Sequence, residues 1–262
     1  MERAPIDVEA LHSALDDRWA RVEVIEEADS TNATLLRDTE APDRSVLVAE
    51  HQIAGRGRLE RTWESPARAG LTFSVLLRPA APVAGWGWLP LLTGLAVHDA
   101  LTRVAGAGPA LKWPNDVLCG PAEAKVAGIL AQTADRAVVV GVGLNVTTTR
   151  EELPVDTATS LALCGAHELD RAVLLIAILR RLDDRLERFE AARGDAAGCG
   201  LDVDYRQACA TIGRDVTVST TTGATVTGRA VGIDRDGRLL VDRDGSVEAI
   251  GAGDVEHLRP AG

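Results

Sequence analysis

The chain has 262 residues, 46% of them hydrophobic, which is enough for one large domain and a small one with a properly buried core. With 39 acidic against 28 basic residues the net charge is −11, so the overall field repels phosphate and argues against a nucleic-acid binder. The first thirty residues are too charged for a signal peptide, no stretch approaches the roughly 20 apolar residues of a membrane span, and Cys119, Cys164, Cys199 and Cys209 lack CxxC or metal-ligand spacing, so the expectation is a cytoplasmic protein with no membrane partner, disulfide framework or zinc site.

Val8, Leu11, Leu15 and Trp19 have helical spacing and predict a helix over residues 7–19, followed by a strand in RVEVIEEAD. Ser30 is placed to cap a helix running through Thr34 and Leu36. SVLVAE (45–50) and LTFSVLLR (71–78) read as strands on either side of a Gly/Arg-rich loop from Gly55 to Arg61. Residues 86–104 have the length and apolar spacing of a buried helix, and short strands are expected around 111–113, 126–132 and 137–142. A long amphipathic helix over 168–191 carries Leu175, Leu179, Leu182, Leu186 and Phe189 on one side, and a shorter helix follows over 203–211. From Asp215 the pattern becomes DVTVST, TVTGRAVGI, RLLVD and VEAI, separated by the turn signals TTG, DRDG and DRDG. The chain therefore divides into a body, residues 1–211, and a small all-β barrel, residues 212–262.

Three segments can carry chemistry. In QIAGRGRLERTW (52–63) the glycines Gly55 and Gly57 permit close approach of backbone to a ligand, and Arg56, Arg58 and Arg61 offer forked donors for phosphate or carboxylate. No Lys-Ser/Thr pair follows, so this is not a GxxxxGK[ST] phosphate loop. In KWPNDVLCGPAEAKVAGIL (112–130) a bend at Pro114 gathers Lys112, Asn115 and Asp116, and Lys125 enters the next strand beside Ala127 and Gly128. Lys112 and Lys125 are the only lysines in the chain. An adjustable ammonium is not replaceable by a guanidinium, so both positions read as chemically constrained. GVGLNV (141–146) fails the dinucleotide fingerprint because Val146 stands where the last Gly is required. Gly143 and Asn145 either present an amide to a purine edge or form a glycine turn ending a strand.

In order along the chain, STN (30–32), QxxGRGR (52–58), KWPND (112–116), KVAGIL (125–130) and GVGLN (141–145) together resemble the biotin–protein ligase family over residues 22–260. The resemblance implies an α+β fold: a mixed-sheet catalytic domain akin to class II aminoacyl-tRNA synthetases and lipoate ligases, then an SH3-like barrel. It implies that ATP and Mg²⁺ activate biotin to biotinyl-5'-AMP, from which biotin passes to a lysine of a biotin carboxyl carrier domain. Lipoate or octanoate transfer, found in the same superfamily, is the alternative.

Carried over by motif, Ser30, Thr31, Asn32 and Gln52 would hold the ureido ring and its surroundings. Gly55, Arg56, Gly57 and Arg58 would close over the biotin carboxylate and the α-phosphate, with Lys125 at the reacting carboxylate beside Gly128. Arg61, Trp63, Lys112, Asn115 and Asn145 would face the nucleotide, Trp63 covering the adenine side, and Asp116 is the candidate near magnesium. Glu60 departs from the family's GRGRxGR pattern, which implies a different closure of the loop. Only 29 residues precede Ser30, too few for the roughly sixty-residue winged helix that makes many relatives repressors, so a monofunctional form with no DNA partner is expected.

Overall fold

The computed structural model describes residues 3–15 and 17–258, without the side chain of Glu60. Helix α1, Val8–Leu15, buries Leu11 and Leu15. It stops short of the predicted end because Arg18 and Trp19 both turn their amides back to the Leu15 carbonyl; Trp19 is still buried. Strand β1 (Arg21–Ala28) runs parallel to β2 (Ser45–Gln52), and α2 (Thr31–Arg37) makes the crossover. Ser30 caps α2 from an extended backbone, its Oγ accepting the Ala33 amide at 3.4 Å.

Strand β2 is antiparallel to a later strand, Gly70–Leu77, all eight of whose residues are buried. Between them the Gly/Arg stretch, expected as an open loop, is a small hairpin in which β3 (Gly55–Arg56) pairs with β4 (Thr62–Trp63) around a 3-10 turn at Arg58–Glu60. The Gly70–Leu77 strand is thus β5. Helix α3, Trp88–Ala100, is continued by a wider turn at Leu101–Ala105. Then come β6 (Ala110–Lys112), β7 (Asp116–Cys119), β8 (Ala124–Ala134) and β9 (Ala137–Asn145), completing a seven-stranded mixed sheet of order β1-β2-β5-β9-β8-β7-β6. Strand β7 was not anticipated from sequence, and GVGLN is the end of β9 rather than a turn.

The sheet has two unequal faces, as the period-2 alternation of a strand requires. Val46, Val48, Phe73, Val75, Val140 and Val142 point into the main core with α3 and α4 (Arg171–Ala191), whereas Leu47, Leu76 and Val139 join Leu35 in a small cluster under α2. Helix α4 begins at its cap Asp170, whose carboxylate accepts the amides of Ala172 and Val173, and buries Leu175, Leu179, Leu182, Leu186 and Phe189. A buried ion pair, Arg171 to Glu50 at 2.5 Å, ties α4 to β2; Glu50 also accepts the Ile6 amide and Arg171 donates to the Ala4 carbonyl.

After α5 (Leu201–Ala208), strands β10 (Asp215–Thr220), β11 (Thr225–Ile233), β12 (Leu239–Arg243), β13 (Ser246–Ile250) and β14 (Gly253–His257) form a five-stranded antiparallel sheet of order β13-β12-β11-β10-β14, consistent with the small barrel expected. Strand β14 was also not anticipated. Two buried tryptophans fix this sheet to the first: Trp88 and Trp113 donate their indole N–H groups to the carbonyls of Arg235 and Gly237 at 3.0 and 3.1 Å. The turn approaches so closely that a Cβ on Gly87 would lie 2.3 Å from the Asp236 carbonyl oxygen.

Candidate active site

The strand registers set a row of residues across one face of the large sheet: Thr72 on β5 lies opposite Gly143 on β9, which lies opposite Gly128 on β8, which lies opposite Asp116 on β7. Gly141, opposite Ser74, belongs to the next row on the same face. Without side chains at 128, 141 and 143 the sheet leaves room for the Trp63 indole over Gly128 and Gly143 and for Asn32 over Gly141, and a pocket lined by all five opens there. The space matters: a Cβ on Gly141 would sit 2.2 Å from Asn32 Oδ1.

Lys125 and Gly128 are three positions apart and in an uninterrupted strand would face opposite ways. The pairing of β7 with β8 shifts there: Val117 lies opposite Ala127 and Leu118 opposite Lys125, so Val126 is an extra residue bulged out of β8, which turns Lys125 onto the glycine face. Its main chain is held on the outer side by Thr157 and Thr159, both at 2.8 Å. The Lys125 ammonium reaches Asp116 Oδ1 at 2.6 Å and stands 5.8 Å from the centre of the Trp63 indole. Asn115 clamps the neighbouring stretch of β8, donating to the Ile129 carbonyl at 3.1 Å and accepting the Ile129 amide at 2.9 Å.

At the far end of the pocket Ser74 donates within a buried cluster, with Thr31 Oγ1 at 2.7 Å and Asn32 Oδ1 at 2.6 Å. Asn32 spends its amide hydrogens on the Leu130 carbonyl and the Gln132 side chain, so it shapes the wall and has no donor left for a ligand. Gln52 Oε1 is taken by the Thr31 amide at 3.0 Å. Gln52 and Ser30 both line the pocket, the Gln52 amide nitrogen lying toward Gly55 of the hairpin.

The hairpin covers the opening. Arg56 is exposed, whereas Arg58 is partly buried, and burial pulls its pKa below the usual arginine value against the opposing pull of Asp254 and Asp116. Arg61 pairs with Asp254 of β14. Leu59 at the tip takes a left-handed conformation, φ 53°. Gly55 lies inside the hairpin and does not line the pocket; a Cβ there would meet the Trp63 carbonyl oxygen at 2.3 Å.

A second, larger recess adjoins the first across Arg61, Trp63, Asp116 and Lys125. Lys112 and Asn145 line this one and not the first. Asn145 already donates to the Thr159 carbonyl at 2.9 Å, so part of its amide is structural. On the barrel side stand Glu256 and His257, which sequence reasoning missed together with Thr72 and Asp254. His257 is held between Thr211 Oγ1 at 3.0 Å and Arg214 at 3.2 Å; burial, with Lys112 and Arg214 nearby, pushes its pKa down to about 4. Arg214 is in turn paired with Glu123.

The chain matches known proteins in both sequence and fold. Residues 23–147 match the model of the biotin/lipoate A/B protein ligase family, and residues 211–258 that of the biotin protein ligase C-terminal domain. The chain is 42% identical to the biotin–[acetyl-CoA-carboxylase] ligase of Mycobacterium tuberculosis, covering 98% of this chain and 97% of that protein. It is 33% identical to the bifunctional ligase/repressor BirA of Escherichia coli, covering 92% of this chain and 74% of that one. Among solved structures, the biotin protein ligase of Aquifex aeolicus in complex with biotin and ATP superposes with a TM-score of 0.78 at 30% identity, covering 92% of this chain and all of that one.

Proposed function

Because the chain belongs to the biotin protein ligase family, we infer that it is an ATP-dependent enzyme that attaches biotin to a carboxylase, with biotin in the glycine-floored pocket and the nucleotide in the recess beside it. The observation that carries this reading is the position of Lys125: its ammonium stands where the two pockets join, which is where a carboxylate and an α-phosphate would meet.

In the first step a biotin carboxylate oxygen attacks the α-phosphorus of ATP in line; the bond to the β-phosphate oxygen breaks and pyrophosphate leaves, giving biotinyl-5'-AMP. Two anions must approach, so fixed positive charge from Lys125, Arg56 and Arg58 lowers the barrier. Gln52 and Ser30 offer donors to the ureido carbonyl at the far end. Trp63 covers the adenine side, and Lys112 faces the phosphates. In the second step a neutral carrier lysine attacks the acyl carbon and AMP leaves. Magnesium is expected to enter with ATP: Asp116 lines both pockets, and no cluster of three ligating side chains occurs among the described residues. That donor set fits an ion carried mainly by phosphate oxygens, whose charge it would offset.

The same reading extends to the domain division at residues 211/212, supported by the second sheet beginning at Asp215. It also takes a biotin carboxyl carrier domain as partner, a cytoplasmic location and no DNA partner; no described helix is long and apolar enough to cross a membrane, and the net charge is −11. Mass spectrometry of a carrier domain incubated with the protein, biotin and Mg-ATP tests the function, with pyrophosphate exchange run against lipoate in parallel. Biotin-dependent exchange and one added biotin are expected; exchange with lipoate alone would reassign the substrate.

A further inference from the structure

Gly128 and Gly143 face each other across β8 and β9, and the indole of Trp63 rests on both. A Cβ on Gly143 would come within 2.3 Å of Trp63 Cε2 and 2.5 Å of Nε1, and one on Gly128 within 3.2 Å of Cζ3. No side chain at 143 can coexist with the ring where it lies, so one of the two must move. Gly143 belongs to a strand paired on both sides, near the middle of the seven-stranded sheet. Trp63 belongs to a two-residue strand in a hairpin that joins neither large sheet. The hairpin yields first.

Hydrogen bonding does not hold the ring down, since the Trp63 indole N–H is buried without an acceptor. Shape does, with the Lys125 ammonium over the ring as a modest electrostatic addition. We propose that the Gly128–Gly143 pair is the seat on which the 55–63 hairpin closes, and that Gly143 is a positioning residue setting lid closure. The proposal builds on the substrate reading above, in which the closed hairpin keeps water from a labile acyl-adenylate. A side chain at 143 then props the lid open and lets adenylate escape before transfer.

The hairpin contains Arg56, Arg58 and Arg61, so trypsin reports its opening directly. Wild type, Gly143→Ala, Trp63→Val and the double variant are digested under native conditions, with melting temperatures and adenylate lost per carrier biotinylated measured alongside. Each single change is expected to speed cleavage within the hairpin about tenfold. The double variant is expected to be no faster than the faster single one, because both remove the same contact. Adenylate escape should rise in step.

Wild-type cleavage rates in Gly143→Ala, or effects that multiply in the double variant, would overturn the proposal. If Gly143→Ala loosens the sheet itself, cleavage spreads beyond the hairpin. Trp63→Val, which leaves β9 intact, then decides, and a wild-type rate there rejects the seat. Absence of biotin-dependent exchange in the wild type would count against the substrate reading and leave the cleavage comparison standing.

Discussion

Replacing Lys125 by alanine removes the one ammonium placed where the two pockets join, 2.6 Å from Asp116 and beside Gly128. If that charge meets the developing negative charge between carboxylate and α-phosphate, its loss costs about 3 kcal/mol in the transition state, on the order of a hundredfold in rate. Stability should change far less: the side chains of Lys125 and Asp116 are 34% and 22% exposed, and a pair with that much access to solvent contributes up to about 1 kcal/mol. Arginine should not rescue. The ammonium nitrogen already lies 3.2 Å from the position of a Cβ on Gly128, with the indole on its other side, and a planar fork has no room there. Biotin-dependent pyrophosphate exchange measures the rate and a urea titration the stability. Exchange in Lys125→Ala within threefold of wild type, at unchanged stability, would refute the assignment.

Arg58→Gly should release adenylate and biotinylate bystander proteins, and Arg56→Gly less so, because both line the pocket but Arg58 is partly buried while Arg56 is exposed; streptavidin blots of a mixed lysate read both. Glu50→Ala leaves the Arg171 guanidinium buried without its partner and should destabilise the fold by about 3–5 kcal/mol, measured by denaturant midpoint. His257, facing Lys112, Arg214 and Glu123, titrates near 4 in the fold against 6.5 in the unfolded chain. Between those values the unfolded chain binds a proton that the folded one refuses, so stability is full above about pH 6.5 and falls as pH drops toward 4. With solvent screening allowed for, the loss is about 1–2 kcal/mol. A His257→Asn variant should show a shallower decline over that range, and a decline identical to wild type would remove His257 as its cause.

The parts of the fold legible in sequence were those with a strong period or a strong cap: the leucine stripe of α4, Ser30 at α2, and the turn-separated strands after Asp215. Strand β7 escaped because four residues directly after a proline bend are too short to show alternation, and β14 because GDVEH is mostly polar. The pocket residues in contiguous motifs were legible because each motif is one turn or strand end. The facing of Lys125 was not, since it depends on a bulge that breaks the period-2 rule. Asp254, Glu256 and His257 carry no local signature; they reach the site through the docking of the second sheet against the first, to which the Trp88 and Trp113 indoles contribute.

Both lysines of the chain line the larger recess beside Trp63, and every other basic side chain is an arginine or a histidine. Amine-directed chemistry therefore has few addresses on this molecule. An acylating dye, a surface-coupling reagent or a lysine acetyltransferase finds only a terminal amine or these two lysines, which nucleotide bound at the proposed site would screen. The extent of such labelling, with and without ATP, becomes a direct titration of active-site occupancy.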